Sequence, residues 1–260
     1  MSLLIDADYI VYKCCAAAET ELDFGEDVIV VTSKFSEAMG LVERELYGIA
    51  DCLGQFDDSI LFFSSPKNFR KDLKPDYKGH RNRKKPCGYK RVINALKEEY
   101  PVVILDNMEA DDAIGIYATK EEGHIVVSPD KDLRQIPGDY FNLSDPIITI
   151  TKEEADRWHL IQTMAGDQTD GYSGVPTIGV KRADALLDKN GCTWETVVDA
   201  FKAKDLTEED ALLNARLAKI LQKELYLDDT IKLWTPDASN GNDDGAGLQA
   251  PSDARSLAKC

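Results

Sequence analysis

A chain of 260 residues that is 43 % hydrophobic can bury one large core, or a core with a modest appendage, and its formal charge of −16 argues against a body-wide affinity for phosphate backbones. The charge is uneven, because residues 67–91 hold eleven Lys or Arg against two Asp, a net +9 that leaves −25 for the remainder. Six cysteines without a CxxC pair and three histidines distant from them show neither a zinc spacing nor a disulfide framework, and no apolar run approaches the ~18 residues of a membrane span.

The opening, MSLLIDADYIVYKCC, lacks a positive region and is interrupted by Asp6 and Asp8, which is not a signal-peptide pattern, so a soluble cytoplasmic protein with reduced, buried Cys14 and Cys15 is expected. SLLID reads as a buried strand, followed by a helix over about 10–18 and a short extended stretch in DVIVVTS. An amphipathic helix is predicted over 35–53, with Met39, Val42, Leu46, Ile49 and Leu53 at helical spacing. SILFFS, VVILD and HIVVS are apolar runs without polar alternation, separated by helical patterns over 89–99 and 110–119. That interleaving is the signature of a mainly parallel sheet covered on both faces. After FNLSDPIITIT the pattern turns helical, over 152–164, 181–187, 193–201 and 208–225, and beyond Trp234 the Asp-, Asn-, Gly-, Ser- and Pro-rich composition predicts disorder. The expected fold class is α/β, a mainly parallel central sheet flanked by helices. Its core spans 1–150 with a basic arch-like insertion at 67–91, followed by a helical subdomain at 151–234 and a tail at 235–260.

Loops at the carboxyl ends of the strands of such a sheet form the crevice where ligands bind. Asp6 ends the first strand, Glu109, Asp111 and Asp112 follow VVILD, Asp130 and Asp132 follow HIVVS, and Asp167 and Asp170 lie in GDQTDG after a helix of the second subdomain. Each group also has a plain structural reading: acids suit the positive start of a helix, SPDKD suits a turn or N-cap, and GDQTDG suits a glycine turn. Converging together, these carboxylates would repel one another without cations, and hard Mg²⁺ or Mn²⁺ removes that difficulty without Cys or His ligands. Two such ions, about 3.5–4 Å apart, activate a water and stabilise the leaving oxygen of a phosphodiester.

The basic stretch, interleaved with Phe69, Tyr77 and Tyr89 and broken by Pro75, Gly79 and Pro86, suits a nucleic-acid backbone with bases free to stack. GVPTIGVKRADALL lacks the Gly-Lys-Ser/Thr succession of an ATP loop, so ATP is not expected. It reads either as a hairpin whose glycines bring backbone N–H groups to a phosphate or as an ordinary helix-turn-helix corner.

LLIDADYIVY, NFRKDLKPDYKGHR, EADDAIG, VVSPDKDL and GDQTDGYSGVPTIGVKRA follow in the order seen in the 5′→3′ exonucleases and flap endonucleases, and the chain resembles that family, its short phage-encoded form in particular, over about 3–187. The resemblance implies metal-dependent 5′→3′ exonuclease action on DNA, with flap cleavage beside it, in a host-cell cytoplasm. It implies one metal cluster on Asp6, Glu109, Asp111 and Asp112 and an adjoining one on Asp130, Asp132, Asp167 and Asp170. By the same likeness 67–91 is the arch that single strands pass under or through, with Arg70, Lys78 and Arg81 beside the scissile phosphate as catalytic cations. Lys67, Lys71, Lys74, Tyr77, Arg83, Lys84 and Lys85 are the implied further DNA contacts of the arch. The loop at 174–181 is similar to a helix-hairpin-helix element that grips duplex through Gly174, Val175, Ile178, Gly179 and Lys181, with K⁺ bound there.

One departure stands out: many relatives carry another Asp just before the arch, where this chain has Ser64 and Ser65, and Asp8 is the carboxylate that could compensate. Two other readings use the same residues. One is a branched-DNA-binding protein with weakened chemistry, and the other is a nuclease for RNA in RNA–DNA hybrids. No membrane and no oligomer are indicated.

Overall fold

Residues 2–54, 58–81 and 84–236, with the backbone of 247–248, are described by the computed structural model. The chain opens with β1 (Ser2–Asp6) and α1 (Ala7–Ala17), sends out a hairpin of β2 (Glu19–Asp23) and β3 (Ile29–Ser33), and continues through α2 (Phe35–Leu53) to β4 (Asp58–Phe62). Then follow α3 (Arg70–Leu73), α4 (Tyr89–Glu99), β5 (Val102–Val103), α5 (Ala110–Lys120) and β6 (Ile125–Val127). A 3-10 turn at Lys131–Gln135 leads to β7 (Gly138–Phe141) and β8 (Ile148–Ile150).

The later part comprises α6 (Lys152–Ala165), the pair β9 (Gly166–Asp167) and β10 (Tyr172–Ser173), then α7 (Val180–Asn190), α8 (Trp194–Lys202) and α9 (Glu208–Ala218). It ends in a 3-10 turn at Lys223–Leu225 and the short strands β11 (Tyr226–Leu227), β12 (Thr230–Lys232) and β13 (Gly247–Leu248).

The central sheet has the order β5-β4-β1-β6-β7-β8, parallel throughout except for the antiparallel β7–β8 pair. Its strands are apolar on both faces because both are covered. Leu3, Ile5, Leu61, Phe63, Ile125 and Val127 pack with α1, α2 and α4, while Leu4, Phe62 and Val126 pack with Ala110, Ala113 and Ile114 of α5. The chain builds β4 and β5 on one side of β1 and then crosses to β6 and β7 on the other. The topological switch therefore falls at the carboxyl end of β1, where Asp6 sits.

Several expectations are corrected. The first helix starts at Ala7, directly after β1, and VVILD contributes only two strand residues. The acidic ETELD segment, which has no strand-like appearance in sequence, pairs with β3 as a protruding hairpin. The single helix expected over 208–225 ends at Ala218, and 219–222 is a buried strap. The break has a tertiary cause. Ile220 N donates to Gln135 Oε1 (3.1 Å), Leu221 N to Asp112 Oδ1 (3.1 Å), and the Leu217 and Lys219 carbonyls accept from Arg70, so backbone groups that would bond along a helix satisfy buried side chains instead. Gly115 lets this strap approach α5, since a Cβ there would lie 2.3 Å from Leu221 O. The start of α6 is fixed by a capping box between Thr151 and Glu154. Of the tail expected over 235–260, all but 235–236 and the backbone of 247–248 lies outside the described residues.

Candidate active site

Asp6 is delivered by β1 to the carboxyl edge of the sheet, where its Oδ2 accepts from Ser128 Oγ at 2.9 Å. Ser128 ends the neighbouring strand and its Oγ also accepts from Asp130 N (3.1 Å), while Asp130 Oδ1 accepts from Asp132 N (2.9 Å) and so caps the 3-10 turn. From the helical side, the turn after β9 is pinned by Asp167 Oδ1, which accepts from Thr169 N at 2.6 Å, and it presents Asp170. Gly166 makes this turn feasible: its φ is +67°, and a Cβ would fall 2.0 Å from Gly174 N.

Glu109, Asp111, Asp130, Asp132, Asp167 and Asp170 together line one cleft of about 380 Å³ with Arg70, Tyr77, Lys78, Arg81 and Lys131. The base of the arch clasps this cleft. Lys78 N donates to Asp170 O (2.8 Å), the Lys78 ammonium bonds Glu109 and lies 3.5 Å from Asp170, and Arg81 Nη2 bonds Asp170 Oδ1 at 2.6 Å. The Tyr77 hydroxyl lies 3.1 Å from Glu109 Oε2 and 2.9 Å from Asp170 Oδ2, bridging the sheet side to the helical side.

The electrostatics divide the cleft. Burial opposes ionisation of Glu109, but Lys78 and Arg70 outweigh it and hold that carboxyl below the usual range. On the other side burial with Asp130 and Asp167 raises Asp132 to about 7, and Asp6, which is buried behind this wall and does not line the cleft, is raised to about 6 by burial, followed by Asp8 and Asp130. Asp111 is driven well up by burial and by Asp6, Asp130 and Glu109. Asp170 is also raised by burial, against the pull of Lys78.

Among the described residues no three carboxylate, His or Cys side chains close around a common point. The donors on this wall are nevertheless hard oxygens short of positive charge, and Asp132 Oδ1 is a buried atom without a hydrogen-bond partner. The residues fit a divalent cation.

Several sequence expectations change here. Asp112 is not among the residues that line the cleft: its oxygens accept from Arg70 Nη1 (2.6 Å), Arg70 Nη2 (2.8 Å), Glu109 N (3.1 Å) and Leu221 N (3.1 Å), which occupies its acceptor sites. Arg70 is equally committed: it lines the cleft 3.6 Å from Glu109 Oε2, but it is buried and its guanidinium donates to Asp112, Leu217 O and Lys219 O. Phe69, Tyr77 and Tyr89 are buried and offer no faces for stacking bases. Val175 is buried, and the backbone N–H groups of Val175 and Ile178 bond Met164 O and Val175 O, so neither donates to a phosphate. Gly179 and Lys181 are exposed at the start of α7.

Lys67, Lys71, Lys84 and Lys85 are exposed and Lys74 is half-buried, whereas Arg83 lies outside the described residues. Ser64 Oγ accepts from Ala110 N (3.1 Å), and Ser64 N donates to Asp8 Oδ2 (2.8 Å), whose other oxygen meets the Tyr89 hydroxyl. Asp8 thus faces the position of the departure without lining the cleft. Ser128 and Lys131 are not singled out by the sequence, although both lie in SPDKD beside its acids, and Tyr77, expected as a DNA contact, instead bridges Glu109 and Asp170.

Convergent acids at the switch point of a parallel sheet, roofed by a cationic clasp, define a nuclease. The 5′-3′ exonuclease N-terminal resolvase-like domain model matches residues 1–165, and the chain belongs to this 5′→3′ exonuclease family. It is 30 % identical to the exonuclease of Escherichia phage T7, over 90 % of this chain and 93 % of that protein. Its identity to the exodeoxyribonuclease of Enterobacteria phage T3 is 29 %, over 90 % and 92 % of the two chains. The D15 flap endonuclease of bacteriophage T5, solved with DNA and metal ions, shares the fold with a TM-score of 0.62 at 15 % identity, over 84 % of this chain and 89 % of that one. No helix among the described residues is long and apolar enough to cross a membrane.

Proposed function

We propose that this chain hydrolyses DNA phosphodiesters from 5′ ends and at 5′ flaps, using Mg²⁺ or Mn²⁺ held by the cleft carboxylates. The observation that carries this reading is the convergence of Glu109, Asp111, Asp130, Asp132, Asp167 and Asp170 on one cleft with Lys78 and Arg81 at its rim. Asp6, Glu109 and Asp111 hold one ion in this proposal, and Asp130, Asp132, Asp167 and Asp170 the adjoining one. When bound, the ions supply an ionised water near neutral pH and neutralise charge on the oxygens of the reacting phosphate.

The chain's own residues do the rest. Burial would lower the Lys78 ammonium pKa, but Glu109 and Asp170 outweigh it and raise the value, so Lys78 remains a cation at working pH. Such a fixed donor, aimed at developing negative charge in a water-poor site, lowers the barrier. Arg81, exposed on one side, meets the phosphate from the rim. Residues 1–150 act as the nuclease core and 151–234 as the part that holds duplex, through Gly179 and Lys181 and with K⁺ at the loop before α7. Asp111→Ala is expected to lower turnover by orders of magnitude while fold and DNA binding persist; near-normal cleavage would contradict the assignment.

A further inference from the structure

Between α1 and α2 the chain sends out the β2–β3 hairpin, and every residue from 20 to 32 is exposed. A two-stranded hairpin without a covering layer is marginal in water. Six of the thirteen large exposed hydrophobic residues among the described ones fall in this stretch, namely Leu22, Phe24, Val28, Ile29, Val30 and Val31. Side chains alternate along a strand. The pairings Thr20–Thr32 and Leu22–Val30, continued by Phe24 N donating to Val28 O (2.9 Å), therefore put Leu22, Phe24, Val28 and Val30 on one face, beyond the two threonines. Glu19, Glu21 and Asp23 leave on the reverse face, where Glu19 Oε1 accepts from Cys87 N (2.7 Å) at the root of the arch. The arch root thus meets the acidic side of the hairpin, and the apolar side is left to solvent.

The charges at the two ends of this apolar face select what covers it. Lys34 has an extended backbone (φ −88°, ψ 121°), which continues the alternation of β3 and puts its side chain at the base of the face, next beyond Thr32. Glu26 and Asp27 lie at the tip. None of the three forms a salt bridge among the described residues. Residues 19–33 hold five acids and no Lys or Arg, so a phosphate backbone is repelled here. A face with an apolar middle, a cation at one end and two anions at the other is complementary to itself turned end for end. We propose that a second copy of this chain covers it, in a twofold dimer whose two hairpins pack apolar face to apolar face and antiparallel, Lys34 of each copy meeting Glu26 and Asp27 of the other. The face is small beside the about 800 Å² per partner of a standard interface, so association in the micromolar range is expected. The inference stands apart from the nuclease reading and uses no residue of the cleft.

The test is analytical ultracentrifugation of the full chain across the micromolar range. Salt is held at about 0.15 M, where a Debye length of about 8 Å screens the repulsion between two anionic bodies more than the contacts inside the interface. The weight-average mass should rise with concentration and level off at two chains. Phe24 is 69 % exposed, so Phe24→Ser is expected to fold normally, with its melting curve as the check, and to raise the dissociation constant about a hundredfold because the ring is lost from both copies. Glu26→Lys/Asp27→Lys should raise it about tenfold, and adding Lys34→Glu, which restores opposite charges end to end, should return it to within about threefold of the parent. A chain that stays monomeric overturns the proposal and leaves the face to a different protein. Mass that keeps growing past two chains also overturns it, since that is open-ended pairing of strand edges. So does a folded Phe24→Ser that associates like the parent, or a triple variant no better than the tip variant.

Discussion

Arg70 and Asp112, 42 positions apart, form a bidentate ion pair at 2.6 and 2.8 Å that is 3 % and 0 % exposed. The pair ties the root of the arch to the first turn of α5, and Leu221 N and the Leu217 and Lys219 carbonyls complete its hydrogen bonding from the helical half. Three segments distant in sequence are thereby fixed around the cleft.

Removing one partner strands the other charge in the interior, a loss of about 3–5 kcal/mol. Asp112→Asn and Arg70→Met are each expected to lower the urea midpoint in EDTA, and the double variant Arg70→Met/Asp112→Leu should recover only part of the loss, because Leu221 N and the Leu217 and Lys219 carbonyls then lose their partners. If Asp112→Asn leaves metal-free stability intact and instead weakens Mn²⁺ binding, Asp112 is a ligand after all.

The carboxyls raised by burial give metal binding a pH signature. Asp6 and Asp132, at about 6 and about 7 in the folded chain, hold protons that the unfolded chain releases near pH 4. Their contribution to stability is full below the unfolded pKa and is lost as pH rises through 6 to 7. A cation replaces those protons, so Mn²⁺ should raise Tm more at pH 8 than at pH 5. Equal increments at the two pH values would show that these carboxyls are not the groups that meet the ion.

His159 titrates in the opposite sense. It is buried and bonded through Nε2 to Ala215 O at 2.9 Å, and burial, with Lys219 beside it, lowers it to about 3. The unfolded chain takes up this proton near pH 6.5, so stability is complete above that value and falls toward pH 3, by up to about 1.4 kcal/mol per unit. His159→Gln should flatten the parent's loss of stability between pH 6 and 4, measured by urea denaturation.

Lys78 reaches both Glu109 and Asp170 and remains charged. Lys78→Met should lower kcat by about 10²–10³ with a smaller change in KM, the pattern of a group that acts on developing charge. A change confined to KM would make it a substrate-docking cation instead.

Periodicity made much of the fold legible. The apolar spacing over 35–53 and 89–99 coincides with α2 and α4, and the unbroken apolar runs announce a sheet buried on both faces. What stayed hidden depends on the partner rather than on the segment. Asp111 and Asp112 are chemically identical neighbours, yet about 100° of helix rotation turns one to the cleft and the other to Arg70. Phe69, Tyr77 and Tyr89 sit among cations in sequence and pack inward, because each joins an apolar cluster, Phe69 with Met108, Tyr77 with Tyr172 and Tyr89 with Val92. The helix over 208–225 has no breaker residue at its break, since the strap is drawn out by Gln135, Asp112 and Arg70.

The most direct test of the central claim is to incubate the purified protein with a 5′-labelled duplex bearing a single-stranded flap, in Mg²⁺, in Mn²⁺ and in EDTA. The account predicts release of the 5′ label in either metal and none in EDTA, with Asp111→Ala inactive in all three. Binding without cleavage in both metals, or cleavage that persists in EDTA, would contradict it.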